Sequence, residues 1–489
     1  MPRTIEGYIW TPAGATEGLE TTSAIKSTGS VKDSYDVIVI GSGFTGLVAA
    51  RDISQHSKAS VLLLEARDRI GGRTWTARVD NEDMEMGGTW VHWNQPHVYA
   101  ELHRYGLHSQ LKTSAGTLAP ENQYYKAADA ELREVSLLAV GEMSERIAAR
   151  MFQIDGYDSR TLMPYPHDPL RESAPWKQYD DLSIRQRLDQ LDDIPQGDRD
   201  MLESLMNSFG SAPGSNTGFV EALRWYALGG HTMAGLWELA GVFKLGGGGM
   251  TFLALAILGD FEGDVLLNTP VAAISQDTRG AIVTTQSRRR MKANCIVSTI
   301  PLNCLSDIQF TPPLSPLRRR AIHEGHINMG VKIHFKLSSI QRGWFASCSS
   351  TPSAPFCFAF SDHNGTRPGG ADSTWCIGFG YGGQLTDKKD SAHIISSFKE
   401  NLNPKADVLL YATHDWANDP YAKGAWSCWG PGSMSRYLAE LQKSEGRVVF
   451  ASADWADGWR GFVDGALERG KVATRDALAI VSLESRARL

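Results

Sequence analysis

Residues 35–73, YDVIVIGSGFTGLVAARDISQHSKASVLLLEARDRIGGR, decide the fold. The run Tyr35–Ile40 is short, apolar and rich in β-branched residues, which predicts a buried strand. It leads into Gly41-x-Gly43-x-x-Gly46, a helix-compatible stretch from Thr45 to about Gln55, and a second buried strand, Ser60–Leu64. Strand, glycine turn, helix and strand within about thirty residues make a dinucleotide-binding unit. In it Gly41 turns tightly off the strand, Gly43 lets backbone N–H groups approach a pyrophosphate, and Gly46 lets the helix pack on the sheet. The positive end of the helix then faces the phosphate charge. Glu65 ends the second strand, where a carboxylate accepts hydrogen bonds from ribose hydroxyls and disfavours a 2′-phosphate.

The rest of the chain sets this unit in a large globular protein. Its 489 residues predict two or three domains, and a hydrophobic content of 42% is ample for buried cores. Forty-nine basic residues against 55 acidic ones leave a formal charge of −6, with no general field for nucleic acid or an anionic membrane. The basic clusters are Arg288–Arg290 and Arg318–Arg320; the first lies between two strand-like runs and is expected at a solvated hairpin tip. Six cysteines show no CxxC pair and no spacing suited to zinc, so no metal is expected and a reducing compartment fits. The first thirty residues lack a signal-peptide pattern, and no apolar run reaches 18 residues, so membrane insertion is not expected.

Along the chain, residues 1–33 have no periodicity and are expected to wrap the surface as an extended arm without chemistry. From about residue 93 to 240 the β pattern fades and helical spacing appears, as in Asp181–Leu191 and Asp200–Phe209. Strand signals resume in Val265–Leu267, Val271–Ser275, Ala281–Thr285 and Cys295–Thr299, and recur in Val331–Leu337, Trp375–Tyr381 and Arg447–Ala451. A helix is expected over 250–258, another over 392–400, and a long one from about Asp464 to Leu483. This divides an α/β chain into a discontinuous Rossmann-like nucleotide-binding domain (34–92, 245–311 and 426–489) and a mixed α+β substrate-binding domain (93–244 and 312–425). No internal repeat is visible.

Three further motifs complete the pattern: EARDRIGGR (65–73), MGGTWVHW (86–93) and WRGFVDGA (459–466). With the glycine fingerprint they resemble the flavin-dependent amine oxidase family over nearly the full chain. The likeness is greatest to its fungal monoamine oxidases, with LMPYPHD (162–168), IPLNCL (300–305) and GHINMGVKIH (325–334) in support. The resemblance implies the two-domain monoamine oxidase fold and an FAD cofactor. It also implies FAD contacts from Gly41, Gly43, Phe44, Thr45, Gly46, Glu65, Ala66, Arg67, Gly72, Gly88, Thr89 and the backbone of Val271. Arg73 would supply charge near the diphosphate. Trp416 would lie against the flavin, and the Val463 N–H, at the positive end of the last helix, would meet the pyrimidine edge that gains charge on reduction. Asp454 stands where many relatives carry a glutamate for the ribityl hydroxyls, and is expected to keep that contact with a shorter reach. Animal relatives bind flavin through a cysteine; the corresponding residue here is Ala425, so the flavin is expected to be non-covalent.

The same resemblance implies the reacting residues. Trp426 and Phe462 match the two aromatic residues that flank the substrate nitrogen, and Lys332 the lysine that assists transfer to oxygen. Leu205, Ser208, Trp237, Gly241 and Asn328 would line the substrate channel. None of these is an acid that would hold a second ammonium, which favours small aliphatic or arylalkyl monoamines over polyamines. The expected reaction is oxidative deamination of a primary monoamine, with O2 and water, to aldehyde, ammonia and hydrogen peroxide. Secondary or cyclic amines, another donor, or a flavin-binding sensor without turnover remain the alternatives. The final Ala487-Arg488-Leu489 follows the small-basic-leucine pattern of a peroxisomal address, which implies the import receptor as a partner and the peroxisome as location, the cytoplasm otherwise. Self-association is left open.

Overall fold

The strand Ser34–Ile40 lies inside an eight-stranded sheet, and Val37, Ile38 and Val39 are wholly buried on both faces. Such two-sided burial is why the run reads as continuously apolar rather than alternating. It pairs in parallel with Val61–Leu64 on one side and Arg290–Ser298 on the other, with Val37 opposite Val61 and Ile38 opposite Ile296. Asp264–Leu266 extends one edge; Ala281–Thr285, Val271–Gln276 and Gln309–Thr311 extend the other, and Val448–Phe450 pairs with the end of Arg290–Ser298. Segments far apart in sequence thus meet around the glycine turn. This computed structural model describes residues 1–351, 354–366, 372–385 and 387–487.

The helix Phe44–His56 packs between this sheet and the closing helix Val463–Ala487. Contact is close because position 470 is glycine: a Cβ there would lie 2.8 Å from the Thr45 carbonyl oxygen. The Arg288 backbone turns with a φ of 67° between the antiparallel strands Ala281–Thr285 and Arg290–Ser298, at the expected hairpin tip.

A second, nine-stranded sheet runs Gly14–Glu17, Tyr8–Thr11, Val408–His414, Val331–Leu337, Thr374–Gly380, Phe356–Ser361, Trp344–Cys348, Asn122–Lys126 and Arg133–Val135. Two expectations are corrected by it. The N-terminal segment is not a bare arm, since residues 8–17 form a hairpin whose first strand pairs with Val408–His414. Nor is the stretch after residue 93 purely helical: it contributes Asn122–Lys126 and Arg133–Val135 here, and Leu111–Thr113 to a small separate pair with Phe243–Leu245. Its helices Leu137–Met151, Gln196–Gly210, Phe219–Leu228 and Met233–Gly241 pack mainly on one another. No helix among the described residues is long and apolar enough to cross a membrane.

Candidate active site

One cavity of about 1490 Å³ begins at the glycine turn and runs between the two sheets to the helices at 137–151 and 233–241. At its nucleotide end Gly41, with φ of 102°, bends the chain off the strand as only glycine does without strain. A Cβ on Gly43 would meet no atom closer than the Gly72 Cα at 3.9 Å, so any side chain there would project into the cavity. A Cβ on Gly46 would sit 1.8 Å from the Gly41 carbonyl oxygen. Gly46 is not in the cavity wall, so its contribution is packing rather than a direct cofactor contact. No side chain caps the helix Phe44–His56, which leaves its first N–H groups for a phosphate.

Glu65 is buried in the wall with its carboxylate held in place. One oxygen accepts from the Ser42 N–H and hydroxyl, both at 2.7 Å, and the other from the Arg67 N–H at 2.9 Å. A carboxylate so fixed still has lone pairs for ribose hydroxyls. Phe44, Thr45, Ala66, Arg67, Gly72, Arg73, Gly88, Thr89, Val271, Trp416 and Val463 line the same cavity. Trp416 is oriented by a hydrogen bond from its Nε1 to the Met86 carbonyl, 3.0 Å. Arg67 is bidentate to Asp419 at 2.7 and 2.8 Å and pairs with Glu6, so its charge is spent on the protein.

Asp454 departs from its expected place. It is wholly buried, absent from the cavity wall, and both oxygens are engaged: Oδ1 by Arg73 at 2.6 Å and Oδ2 by the Leu302 N–H at 2.8 Å. Burial opposes its ionisation, but the Arg73 guanidinium prevails and holds the carboxyl below its ordinary range. Being one carbon shorter than glutamate and set behind the wall, it anchors Arg73. Arg73, also donating to the Ala425 carbonyl at 2.9 Å, thereby ties the GGR turn to the segment carrying Trp426.

At the reacting end, Trp426 and Phe462 both stand in the wall. The Trp426 indole donates to the Phe209 carbonyl at 2.6 Å, which fixes its ring; Phe462 packs edge-on to Trp459 with centroids 5.0 Å apart. Leu205, Ser208, Trp237 and Gly241 line the cavity as expected, with the Ser208 hydroxyl turned back onto the Leu205 carbonyl. Asn328 does not. It is fully buried, its Oδ1 accepting from the Gly330 N–H and its carbonyl from the Ala425 N–H, so it registers the loop before Trp426 instead of touching substrate.

Lys332 lies in the wall on the strand Val331–Leu337, its Nζ donating to the carbonyls of Glu85 (2.7 Å) and Gly87 (2.9 Å) and to the Thr89 hydroxyl (2.6 Å). Burial pulls its pKa down to about 7 against the charges of Glu85 and Asp362. Burial likewise pushes Glu85 up to about 7, against a hydrogen bond from the Met250 N–H. With three acceptors engaged, a lysine so placed steadies the Met86–Trp93 turn.

The sequence reading missed the aromatic wall formed by Trp90, Phe345, Phe358, Phe360 and Phe379, and the carboxylates Glu142, Glu145 and Glu238 on the two helices that bound the far end. The alternating phenylalanines of Phe356–Ser361 were a usable strand signal for part of it.

The chain matches the family model for flavin containing amine oxidoreductase over residues 44–478. The protein belongs to that family. It is 33% identical to a pseudooxynicotine dehydrogenase of Pseudomonas sp over 445 residues, covering 89% of this chain and 85% of the relative. It is 31% identical to a nicotine dehydrogenase of Pseudomonas putida, covering 96% and 94%. Among solved structures, a redesigned putrescine oxidase superposes with a TM-score of 0.77 at 22% identity over 91% of this chain and 99% of that one, which shows the same two-domain fold. The family's cofactor is FAD, and the cradle of Gly41, Gly43 and Gly72, the tethered Glu65 and the uncapped helix fit it. Ala425 presents no thiol to the flavin.

Proposed function

We propose that this amine oxidoreductase deaminates monoamines bearing an aryl group, with O2 as electron acceptor and water as the source of the aldehyde oxygen, giving aldehyde, ammonia and hydrogen peroxide. The observation that carries the reading is that Trp426 and Phe462 share one cavity with the FAD cradle, in a wall to which Trp90, Phe345, Phe358, Phe360 and Phe379 also contribute. FAD, when bound, supplies the acceptor for a hydride equivalent from the carbon bearing nitrogen and hands the electrons on to oxygen.

The chain's own part is to make the amine reactive and hold it. An ordinary amine is neutral in only about one part in 10³ at pH 7, so deprotonation costs about 4–5 kcal/mol. Cation–π attraction to Trp426 and Phe462 favours the ammonium by about 0.5–2 kcal/mol and works against this. Desolvation by the apolar wall lowers the amine's pKa instead, and water takes the proton. Lys332 faces the cavity with a charge that stabilises negative charge growing on oxygen. The wall carboxylates stand away from the aromatic end: Glu65 and Asp307 on the nucleotide side, and Glu142, Glu145 and Glu238 on the helices at the far end. This argues against a substrate whose second ammonium lies beside the rings.

A second reading is favoured by the two Pseudomonas relatives, a pseudooxynicotine dehydrogenase and a nicotine dehydrogenase: the amine is secondary or cyclic, as in nicotine-related compounds. Anaerobic titration of the yellow protein with benzylamine, phenylethylamine, N-methylphenylethylamine and nicotine, followed by oxygen and a peroxide assay, separates the cases. Bleaching by primary amines with peroxide on reoxidation supports the first reading, and bleaching confined to the last two compounds the second. Bleaching without peroxide would replace oxygen as acceptor. No bleaching by any amine, with FAD bound, would sink both readings.

The C-terminal address is likewise a proposal resting on the tripeptide, of which Arg488 and Leu489 lie outside the described residues. A tagged copy lacking residues 487–489 should stay cytosolic; entry of that copy into peroxisomes would refute the address.

A further inference from the structure

Several polar atoms of the cavity wall have no partner among the described residues, the Nε1 of Trp90 and of Trp344 and the Ser144 hydroxyl among them, and one whole carboxamide shares that state. Gln123, on the strand Asn122–Lys126, is only 9% exposed and lines the cavity, yet among the described residues its carboxamide has no hydrogen-bond partner. It pairs in register with Phe345, whose ring also lines the cavity. From there an unbroken line of ring contacts leads to the reacting end: Phe345 to Phe358 at 5.9 Å, Phe358 to Phe379 at 4.6 Å, and Phe379 to Trp426 at 5.8 Å. An amide that faces a cavity needs a partner from the ligand or from water, since leaving it unpaired when a ligand covers it is costly.

Building on the amine oxidase reading above, we infer that Gln123 is a specificity residue for the end of the substrate remote from nitrogen. Its Nε2–H donates to an uncharged acceptor on the aryl group: a ring nitrogen, a carbonyl or a hydroxyl oxygen. The amine is gripped between Trp426 and Phe462, the ring lies along Phe379, Phe358 and Phe345, and the acceptor meets Gln123. Substrates of this protein are then arylalkyl amines with a hydrogen-bond acceptor on the ring, and plain hydrocarbon amines are poorer because they leave the amide unpaired.

The test compares 4-(pyridin-3-yl)butylamine with 4-phenylbutylamine, which differ by one ring atom, in the wild-type holoenzyme and in Gln123→Leu and Gln123→Met. The wild type should favour the pyridyl amine. Either variant should lose about tenfold in kcat/KM for it, chiefly through KM, and lose nothing for the phenyl amine. Calorimetric binding of the corresponding alcohols, pyridyl and phenyl, to the same FAD-loaded proteins supplies a readout that needs no turnover and should show the same tenfold selectivity and its loss. Equal losses for both ligands, or no loss for either, in a variant that retains FAD would overturn the assignment. If neither amine reduces the flavin while the alcohols still show Gln123-dependent selectivity, the amine reading fails and the subsite stands.

Discussion

Lys332 and Asp464 show how burial gives two ordinary residues unusual charge behaviour. Replacing Lys332 by Met removes a cationic group that the second sheet contributes to the cavity wall. Stopped-flow reoxidation of the reduced protein by oxygen should slow by about tenfold or more, while anaerobic reduction by amine changes little. Asp464 accepts from the N–H groups of His97 (2.7 Å) and Val98 (2.8 Å) through the same oxygen, and its other oxygen is buried with no partner. Burial pushes its pKa up to about 7 in spite of those two hydrogen bonds. The folded state therefore holds a proton that the unfolded chain releases near pH 4, so this group's contribution is full below about pH 4 and is lost as pH rises towards 7. Asp464→Asn keeps the accepting oxygen and cannot ionise. Thermal unfolding from pH 4 to 8 should show the variant falling less with pH than the wild type, with the gap widest above pH 7.

The nucleotide-binding turn works as an element because its glycines do different jobs. Gly46→Ala places a methyl group 1.8 Å from the Gly41 carbonyl, a clash with backbone that no rotamer relieves. The variant should lose soluble yield and FAD together. Gly43→Ala places its methyl in ordinary contact with the Gly72 Cα at 3.9 Å, so it should fold, with circular dichroism unchanged, yet hold less than about a tenth of the normal FAD by the ratio of flavin to protein absorbance. If both variants lost FAD and fold alike, the division of labour between turn and phosphate cradle would be wrong. These roles were legible from spacing alone, because β-turn-α-β geometry forces them. The strand Trp344–Cys348 was not, since both faces are largely buried and the apolar alternation that marks a half-exposed strand is blurred.

Over the whole molecule, the N-terminal hairpin is bound in by charge as well as by strand pairing. Glu6 pairs with both Arg67 and Arg69, and Arg67 in turn with Asp419, which also accepts from His414 Nε2 at 2.6 Å. Residues from the arm, the nucleotide-binding turn and the second sheet are thus joined in one buried network. Burial opposes the charge on Glu6, but the two guanidinium groups hold its carboxyl below the ordinary value. Glu6→Gln leaves Arg67 and Arg69 short of a counter-charge and should destabilise the protein by about 3 kcal/mol, read in denaturant unfolding of the holoenzyme. An unchanged midpoint would mean the arm is a passive cover. Nothing in residues 1–33 announced this, because an isolated glutamate in an aperiodic segment looks like surface.

The sequence by itself determined the nucleotide-binding unit, the family motifs and the segments that build the FAD side, because glycine conformational demands and strand-helix periodicity are local and survive in one dimension. It also placed Trp426, Phe462 and Lys332 through their motifs, and all three line the cavity. Only the tertiary structure decided that Asp454 serves Arg73, that Asn328 registers a loop, and that Gln123 faces an aromatic wall without a partner. Each of those outcomes turns on side-chain reach and on which residues meet across the fold, and contact between positions such as 73 and 454 leaves no periodic trace in the chain.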